Sequence, residues 1–118
     1  MEVRRAIAAI PVMLALAGTA RAATLFAGPI QVGAGNDLEC RIVNVDKVAR
    51  EVSIHIFDRN GVQVDEGTTS LAPLASFRDR SPDPAVTCRF TVEGGKKRYR
   101  ATACAQQGGA AAACVAAE

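Results

Sequence analysis

Short runs of alternating apolar and polar residues recur along the chain. The clearest run occupies 86–92, and shorter runs at 38–42, 52–56 and 62–65 follow the same rule. Successive side chains of a strand point to opposite faces, so alternation with a period of two indicates strands with one buried face. No segment carries the spacing of a convincing amphipathic helix. The pattern therefore predicts an all-β domain.

Turn-forming residues separate the runs, because glycine reaches positive φ without steric cost. Alanine at 110–113 also favours a helical turn, but Gly108–Gly109 lies midway between two cysteines and favours a closing hairpin. Pro82 and Pro84 cannot donate to a ladder, and weaker strands are predicted at 24–31 and 74–80. The predicted hairpins join 51–57 to 62–66 through Asp58–Gly61, 85–93 to 97–104 through Gly94–Gly95, and Cys104 to Cys114 through Gly108–Gly109.

Seven or eight short strands at this spacing predict one antiparallel β-sandwich. Strands that recur about every 8–12 residues, with turn residues between them, are typical of immunoglobulin-like sandwiches. The fold class expected from the pattern is therefore an all-β, antiparallel, immunoglobulin-like sandwich without internal repeats.

The first 22 residues have the composition of a cleavable secretory signal. Arg4 and Arg5 precede an apolar run from Ala6 to Ala17, and small residues stand at Ala20 and Ala22. The apolar run is too short to span a bilayer. We expect a signal peptide at 1–22, a single domain at 23–118, and a periplasmic or secreted location.

Removing that segment makes the chain neutral. Of the 14 Lys and Arg, three lie in the signal (Arg4, Arg5 and Arg21); of the 12 Asp and Glu, one does (Glu2), which leaves 11 of each. A neutral domain lacks the basic surface that nucleic-acid binding requires. The expected partner is an unidentified protein or glycan, not a nucleic acid.

Four cysteines allow three pairings, and an oxidising compartment favours disulfides. Cys40 and Cys88 both fall on the apolar faces of their strands, which suits a bridge across the sandwich. Cys104 and Cys114 flank a glycine turn, which suits a local bridge. The alternative joins Cys88 to Cys104, as hairpin neighbours, and Cys40 to Cys114. The absence of C-x-x-C spacing disfavours a metal or redox site.

Three segments resemble a family: Cys40–Asn44 (CRIVN), Cys88–Val92 (CRFTV) and Arg98–Ala101 (RYRA). They are similar to a group of small exported bacterial β-sandwich proteins of uncharacterised function. The resemblance covers about 38–118; it implies a signal peptide and a sandwich, and transfers no catalytic residue. Compared with immunoglobulin domains, the chain lacks tryptophan and has Val86 where those domains place a corner tyrosine.

Two sets of polar residues are candidates for catalysis or for metal binding. His55 is the only histidine, and Ser53 lies on the same strand face; a catalytic pair needs better geometry than this, so a solvent-facing histidine is favoured. The acidic and amide side chains around the first hairpin offer oxygen ligands for calcium, but the glycine comes too early for a calcium loop. Ordinary turn polarity is favoured for Asp58, Asn60, Asp65 and Glu66.

A basic strip and two aromatic residues form the candidate binding surface. Charged residues on an exposed strand also discourage aggregation, and aromatic residues can pack over the end of a sandwich. Those two roles are the commoner ones. The candidate binding surface weighed against them comprises Phe57, Arg89, Lys97, Arg98, Tyr99 and Arg100, with Lys96 beside them.

The chain carries no nucleophile elbow, phosphate loop or zinc signature. We therefore expect a non-enzymatic exported binding or envelope-associated domain, with no metal and no cofactor. A structural subunit that pairs through an exposed strand edge is the alternative, and an enzyme with an unrecognised site is the least favoured hypothesis.

Overall fold

The computed structural model describes residues 22–108 and 110–118. The proposed signal segment lies outside these residues except for Ala22, which begins the first strand. A short 3-10 helix, Lys96–Arg98, precedes the seventh strand. The eight strands are β1 (Ala22–Ala27), β2 (Asp37–Asn44), β3 (Arg50–Asp58), β4 (Gln63–Leu71), β5 (Ser76–Pro82), β6 (Ala85–Glu93), β7 (Tyr99–Gln107) and β8 (Ala110–Ala116).

The strands form two antiparallel sheets of four. Sheet A has the order β1-β6-β3-β4, and sheet B has the order β5-β2-β7-β8. The predicted all-β, two-layer architecture is therefore confirmed. The strand order differs from that of immunoglobulin constant domains, in which the first two strands are neighbours in one sheet; here β1 and β2 lie in different sheets.

The hairpin predicted around Gly94–Gly95 is wrong. β6 belongs to sheet A and β7 to sheet B, so the chain crosses between sheets there. Gly94 does adopt φ +84°, but the chain then forms the 3-10 turn, and β7 begins only at Tyr99. The hydroxyl of Tyr99 donates to the carbonyl of Glu93 and ties the crossover together. The glycines permit the bend without deciding its direction.

The other two predicted hairpins are present. Between β3 and β4, Gly61 has φ +81°, and the Asp58 carboxylate accepts from the backbone N–H groups of Asn60 (2.8 Å) and Val62 (3.0 Å). β7 and β8 also pair, with Cys104 opposite Cys114; Gly109 of that turn lies outside the described residues.

The two weaker strands are present with shifted ends. β1 ends at Ala27 rather than Gln31, because Gly28 turns the chain at φ +111° and Pro29 has no N–H to donate. β5 begins at Ser76 and continues through Pro82. Pro82 is therefore the last residue of an edge strand and pairs with Asp37, a position where a missing donor is tolerated, whereas Pro84 lies in the turn before β6.

Alternating apolar residues from both sheets form the core. Phe90 and Ile54 from sheet A meet Leu38 and Ile42 from sheet B, and all four are fully buried. At their centre Cys40 and Cys88 form a disulfide with 5.9 Å between their Cα atoms. A single bond therefore joins the middle strands of the two sheets.

The second disulfide lies at the margin of sheet B. Cys104 and Cys114 are joined with 4.1 Å between their Cα atoms. This is the pairing that the strand pattern favours, and the alternative pairing depended on the hairpin that is not formed. Among the described residues, no helix has the length and apolar character to cross a membrane.

Candidate ligand-binding groove

A groove of about 650 Å³ opens at one end of sheet A, beside the β3–β4 turn. Its apolar walls include Phe26 from β1, Phe57 from β3 and Ile30 from the segment after β1. Arg89 of β6 and Asp58 at the end of β3 add polar groups. A concave, mostly apolar surface with a few polar groups is typical of a ligand site.

Strand register brings these side chains together. Arg89 is the direct cross-strand neighbour of Phe26 on one side and of His55 on the other. Phe57 lies one pleat further along β3, opposite Thr87. Residues that share such a row project from the same face, so Phe26, Arg89 and Phe57 present one continuous surface.

Arg89 stacks on Phe57. The guanidinium carbon lies 4.9 Å from the centre of the ring, which is within the range of a cation–π contact. A stacked guanidinium keeps its N–H donors in its own plane. The pair therefore offers an apolar ring face and hydrogen-bond donors side by side.

Phe26 was not identified from the sequence, although it is 52% exposed and lines the groove. The segment 24–31 alternates too weakly to show which of its residues face solvent. An exposed phenylalanine opposite an arginine is evident only once β1 is paired with β6. Conversely, Phe57 and Arg89 were both singled out, and the structure places them in contact.

Tyr99 does not belong to any exposed surface. It is 2% exposed, its hydroxyl bonds to the Glu93 carbonyl, and burial raises its pKa. The prediction of an exposed aromatic residue in a basic strip is wrong here. The side chain instead packs at the crossover from sheet A to sheet B.

The residues of the predicted basic strip lie on different parts of the molecule. Arg89 lies on sheet A, whereas Arg100 lies on sheet B and donates to the carbonyls of Lys97 (3.2 Å) and Tyr99 (2.9 Å). Arg98 pairs with Asp46 at 3.1 Å. Lys97 is an exposed residue of the 3-10 helix. The strip depended on β6 and β7 being partners, and they are not.

His55 and Ser53 have different partners. The Nδ1 atom of His55 lies 3.1 Å from Oε1 of Gln63 and 3.8 Å from Oε1 of Glu66. The Ser53 hydroxyl instead meets that of Thr68, at 2.8 Å. No nucleophile and base are therefore brought together by these two side chains.

The candidate calcium ligands diverge. Asp58 binds the backbone of its own turn, and Glu66 accepts from Gln63 at 2.8 Å on the outer face. Asp65 points between the sheets, where it accepts from Ser81 at 3.3 Å. Within residues 22–108 and 110–118, no three His, Cys, Asp or Glu side chains are grouped to hold a metal ion.

No protein family, curated protein or solved structure matches this chain. The resemblance noted in the three sequence segments gains no support from these comparisons. The geometry of the groove is therefore the basis for assigning a function.

Proposed function

We propose that the protein is an exported, non-enzymatic binding domain, and that the groove beside Phe26 and Phe57 holds part of a glycan chain. The observation that carries the proposal is the contact of Arg89 with the ring of Phe57 in an open, concave surface. A sugar ring has apolar C–H faces and polar edges. A groove with ring faces and adjacent guanidinium and carboxylate groups complements both.

The disulfides support export. The chain forms two disulfides within the described residues, and such bonds persist in oxidising compartments. Cleavage after Ala22 would leave Ala23, which packs against the core.

Mass analysis of protein recovered from cells tests export directly. The mature protein should begin at Ala23 and gain four hydrogens on reduction. Recovery with residues 1–22 attached and four free thiols would contradict the proposal.

The groove is tested with an array of bacterial cell-envelope oligosaccharides and the variant Phe26→Ser. The folded protein should bind a subset of the array, and the variant should bind that subset about tenfold more weakly, because it loses an aromatic contact. Leu74→Ser is the matched control, since Leu74 is 78% exposed and lies in the β4–β5 turn outside the groove. Binding to a peptide library alone, or equal losses in both variants, would reject the glycan proposal.

A second candidate function is self-association through the edge strand β8. All seven of its residues are exposed and uncharged, and most are alanine. The other edges are protected: β4 carries Asp65 and Glu66, β5 carries charged residues at 78–80, and β1 exchanges two hydrogen bonds with Glu118 (2.9 and 3.0 Å). An unprotected, small-residue edge favours pairing with a second copy, because no like charges would meet.

Light scattering after size exclusion tests this candidate. The N–H of Ala117 bonds to β7 at 2.9 Å, so alternation directs the N–H of Ala116 away from β7. Ala116→Pro removes that donor and should yield a monomer, whereas Ala116→Val keeps it and should remain dimeric. A monomeric native protein would exclude this function.

A further inference from the structure

Three arginines surround one carboxylate on the outer face of sheet B, on the opposite side of the molecule from the groove. Glu39 of β2 lies 3.4 Å from Arg41 of the same strand. From β5, Arg80 lies 3.4 Å away and Arg78 lies 3.7 Å away. We call these four residues the arginine cluster.

Burial differs sharply within the arginine cluster. The Glu39 side chain is only 7% exposed, whereas those of Arg41, Arg78 and Arg80 are 47%, 59% and 44% exposed. The carboxylate thus lies beneath the guanidinium groups, which form the solvent-facing rim of the cluster. Glu39 orients the rim without neutralising it.

The charges do not balance. One carboxylate faces three guanidinium groups, and Arg41 is directly opposite Arg78 in the β2–β5 pairing. Like charges directly opposite each other destabilise a sheet. On the strand alternation, the same outer face also carries Asp37 and Arg100, which leaves the face with four arginines against two carboxylates.

The arginine cluster borders a concavity of about 300 Å³. Thr102 and Gln106 of β7 also line it, beside Cys104 and Ala111, and add a hydroxyl and an amide to the guanidinium donors. The lining therefore combines surplus positive charge with several hydrogen-bond donors. Planar guanidinium groups match the oxygens of phosphate and sulfate groups in pairs.

We propose that the arginine cluster binds a tetrahedral oxyanion of the phosphate type. The anion lies on the solvent side of the cluster, between Arg41 and Arg78, where it offsets their mutual repulsion. Its two possible sources are a free phosphate ion and the phosphate of a lipid headgroup. The site is separate from the groove on sheet A and does not depend on the glycan proposal.

Titration of the ¹⁵N-labelled, disulfide-bonded protein with sodium phosphate tests the site. Amide signals of β2, β5 and β7 around the cluster should shift and saturate, and sodium chloride at equal ionic strength should not reproduce the shifts. Arg78→Gln should weaken phosphate binding about tenfold or more, because it removes a charge-assisted donor. Arg78 makes the longest contact with Glu39, so its loss should leave the fold intact, as the remaining amide signals would show.

Lys97→Gln is the matched control, because it removes the same charge from an exposed position outside the cluster. It should bind phosphate as the native protein does. Equal weakening in both variants would overturn the proposal, and so would the absence of a phosphate-specific shift in the native protein together with the absence of vesicle binding that depends on Arg78.

Sedimentation with lipid vesicles then separates the two sources. Binding to phosphatidylglycerol vesicles that Arg78→Gln loses and Lys97→Gln keeps would assign a lipid phosphate. Saturable binding of free phosphate without vesicle binding would assign the soluble ion. If vesicle binding falls equally in both variants and free phosphate does not bind saturably, vesicle binding depends on overall charge. That result would reject the site.

Discussion

The two disulfides hold different regions of the molecule. Cys40 and Cys88 are fully buried and join β2 of sheet B to β6 of sheet A across the core, at a sequence separation of 48. Cys104 and Cys114 are 10 residues apart and join β7 to the exposed edge strand β8. The central disulfide thus connects the two sheets, whereas the marginal disulfide holds a single edge strand.

The polarity of the surroundings also differs between the centre of the sandwich and its margins. At the centre, the buried bridge belongs to a cluster of buried apolar residues, with Asp79 as the one charged residue directly opposite Cys40 in the β2–β5 pairing. At the β4–β5 margin, polar side chains enter the space between the sheets: Asp65 accepts from Ser81 at 3.3 Å, and Asp79 lies nearby with a raised pKa. Stability should therefore depend most on the centre, and the margins should tolerate change.

The largest effect is expected from removal of the central disulfide. In the chain-entropy treatment, a loop of this length contributes about 4 kcal/mol, and domains of this size have a net free energy of unfolding of about 5–15 kcal/mol. The double variant Cys40→Ala, Cys88→Ala should lose about 4 kcal/mol or more in urea unfolding at pH 7, because the sulfur atoms also leave a cavity. A loss below that of the marginal pair would contradict the comparison.

Removal of the marginal disulfide should cost less. Its shorter loop contributes about 2.5–3 kcal/mol in the same treatment, and its exposed position leaves no buried cavity. The double variant Cys104→Ala, Cys114→Ala should remain folded, with accelerated hydrogen exchange confined to β8 and its neighbour. Exchange that accelerates equally in β3 and β6 would show that the bond stabilises the whole sandwich.

Loss of the tyrosine hydroxyl tests the crossover between the sheets. Tyr99→Phe keeps the buried ring but leaves the Glu93 carbonyl without its side-chain donor, which should cost about 1–2 kcal/mol. Unfolding in urea measures the change. The exposed variant Thr68→Val, which breaks the contact with Ser53 on the outer face, should cost less; a larger cost there would show that the crossover contact is of minor importance.

The smallest effect is expected at the β4–β5 margin and depends on pH. Burial, and then the charge of Asp65, raise the pKa of Asp79. The folded protein therefore binds this proton more tightly than the unfolded chain does, so the contribution of Asp79 to stability declines as pH rises from about 3.9 through the raised pKa. Asp79→Asn should unfold at a higher temperature than the native protein at pH 7 and at nearly the same temperature near pH 3.

A matched control is Glu51→Gln, which removes an exposed carboxylate from the outer face of sheet A. It should not reproduce the pH-dependent gain. A lower unfolding temperature of Asp79→Asn at pH 7 would show that the ionised carboxylate is stabilising, contrary to its surroundings.

Part of the candidate site could be predicted from the chain, and part could not. Phe57 is apolar at a polar position of a clearly alternating run, so its position on the outer face of β3 is a local property that the pattern reveals. Phe26 lies in a weakly alternating run, and its exposure depends on pairing with β6. The arginine cluster was also missed, because Arg78 and Arg80 come next to Glu39 and Arg41 only through the pairing of β5 with β2.

The amino-acid sequence by itself determined the strands, most of their turns and the inward direction of Cys40 and Cys88. These features follow from alternation and from turn chemistry, which involve residues close together along the chain. Only the tertiary structure decided which strands are neighbours: Gly94–Gly95 could have closed a hairpin, but β7 pairs with β2 and Tyr99 is buried at the crossover. That choice depends on which apolar faces fit together in one core, and the competing contacts lie far apart in the sequence.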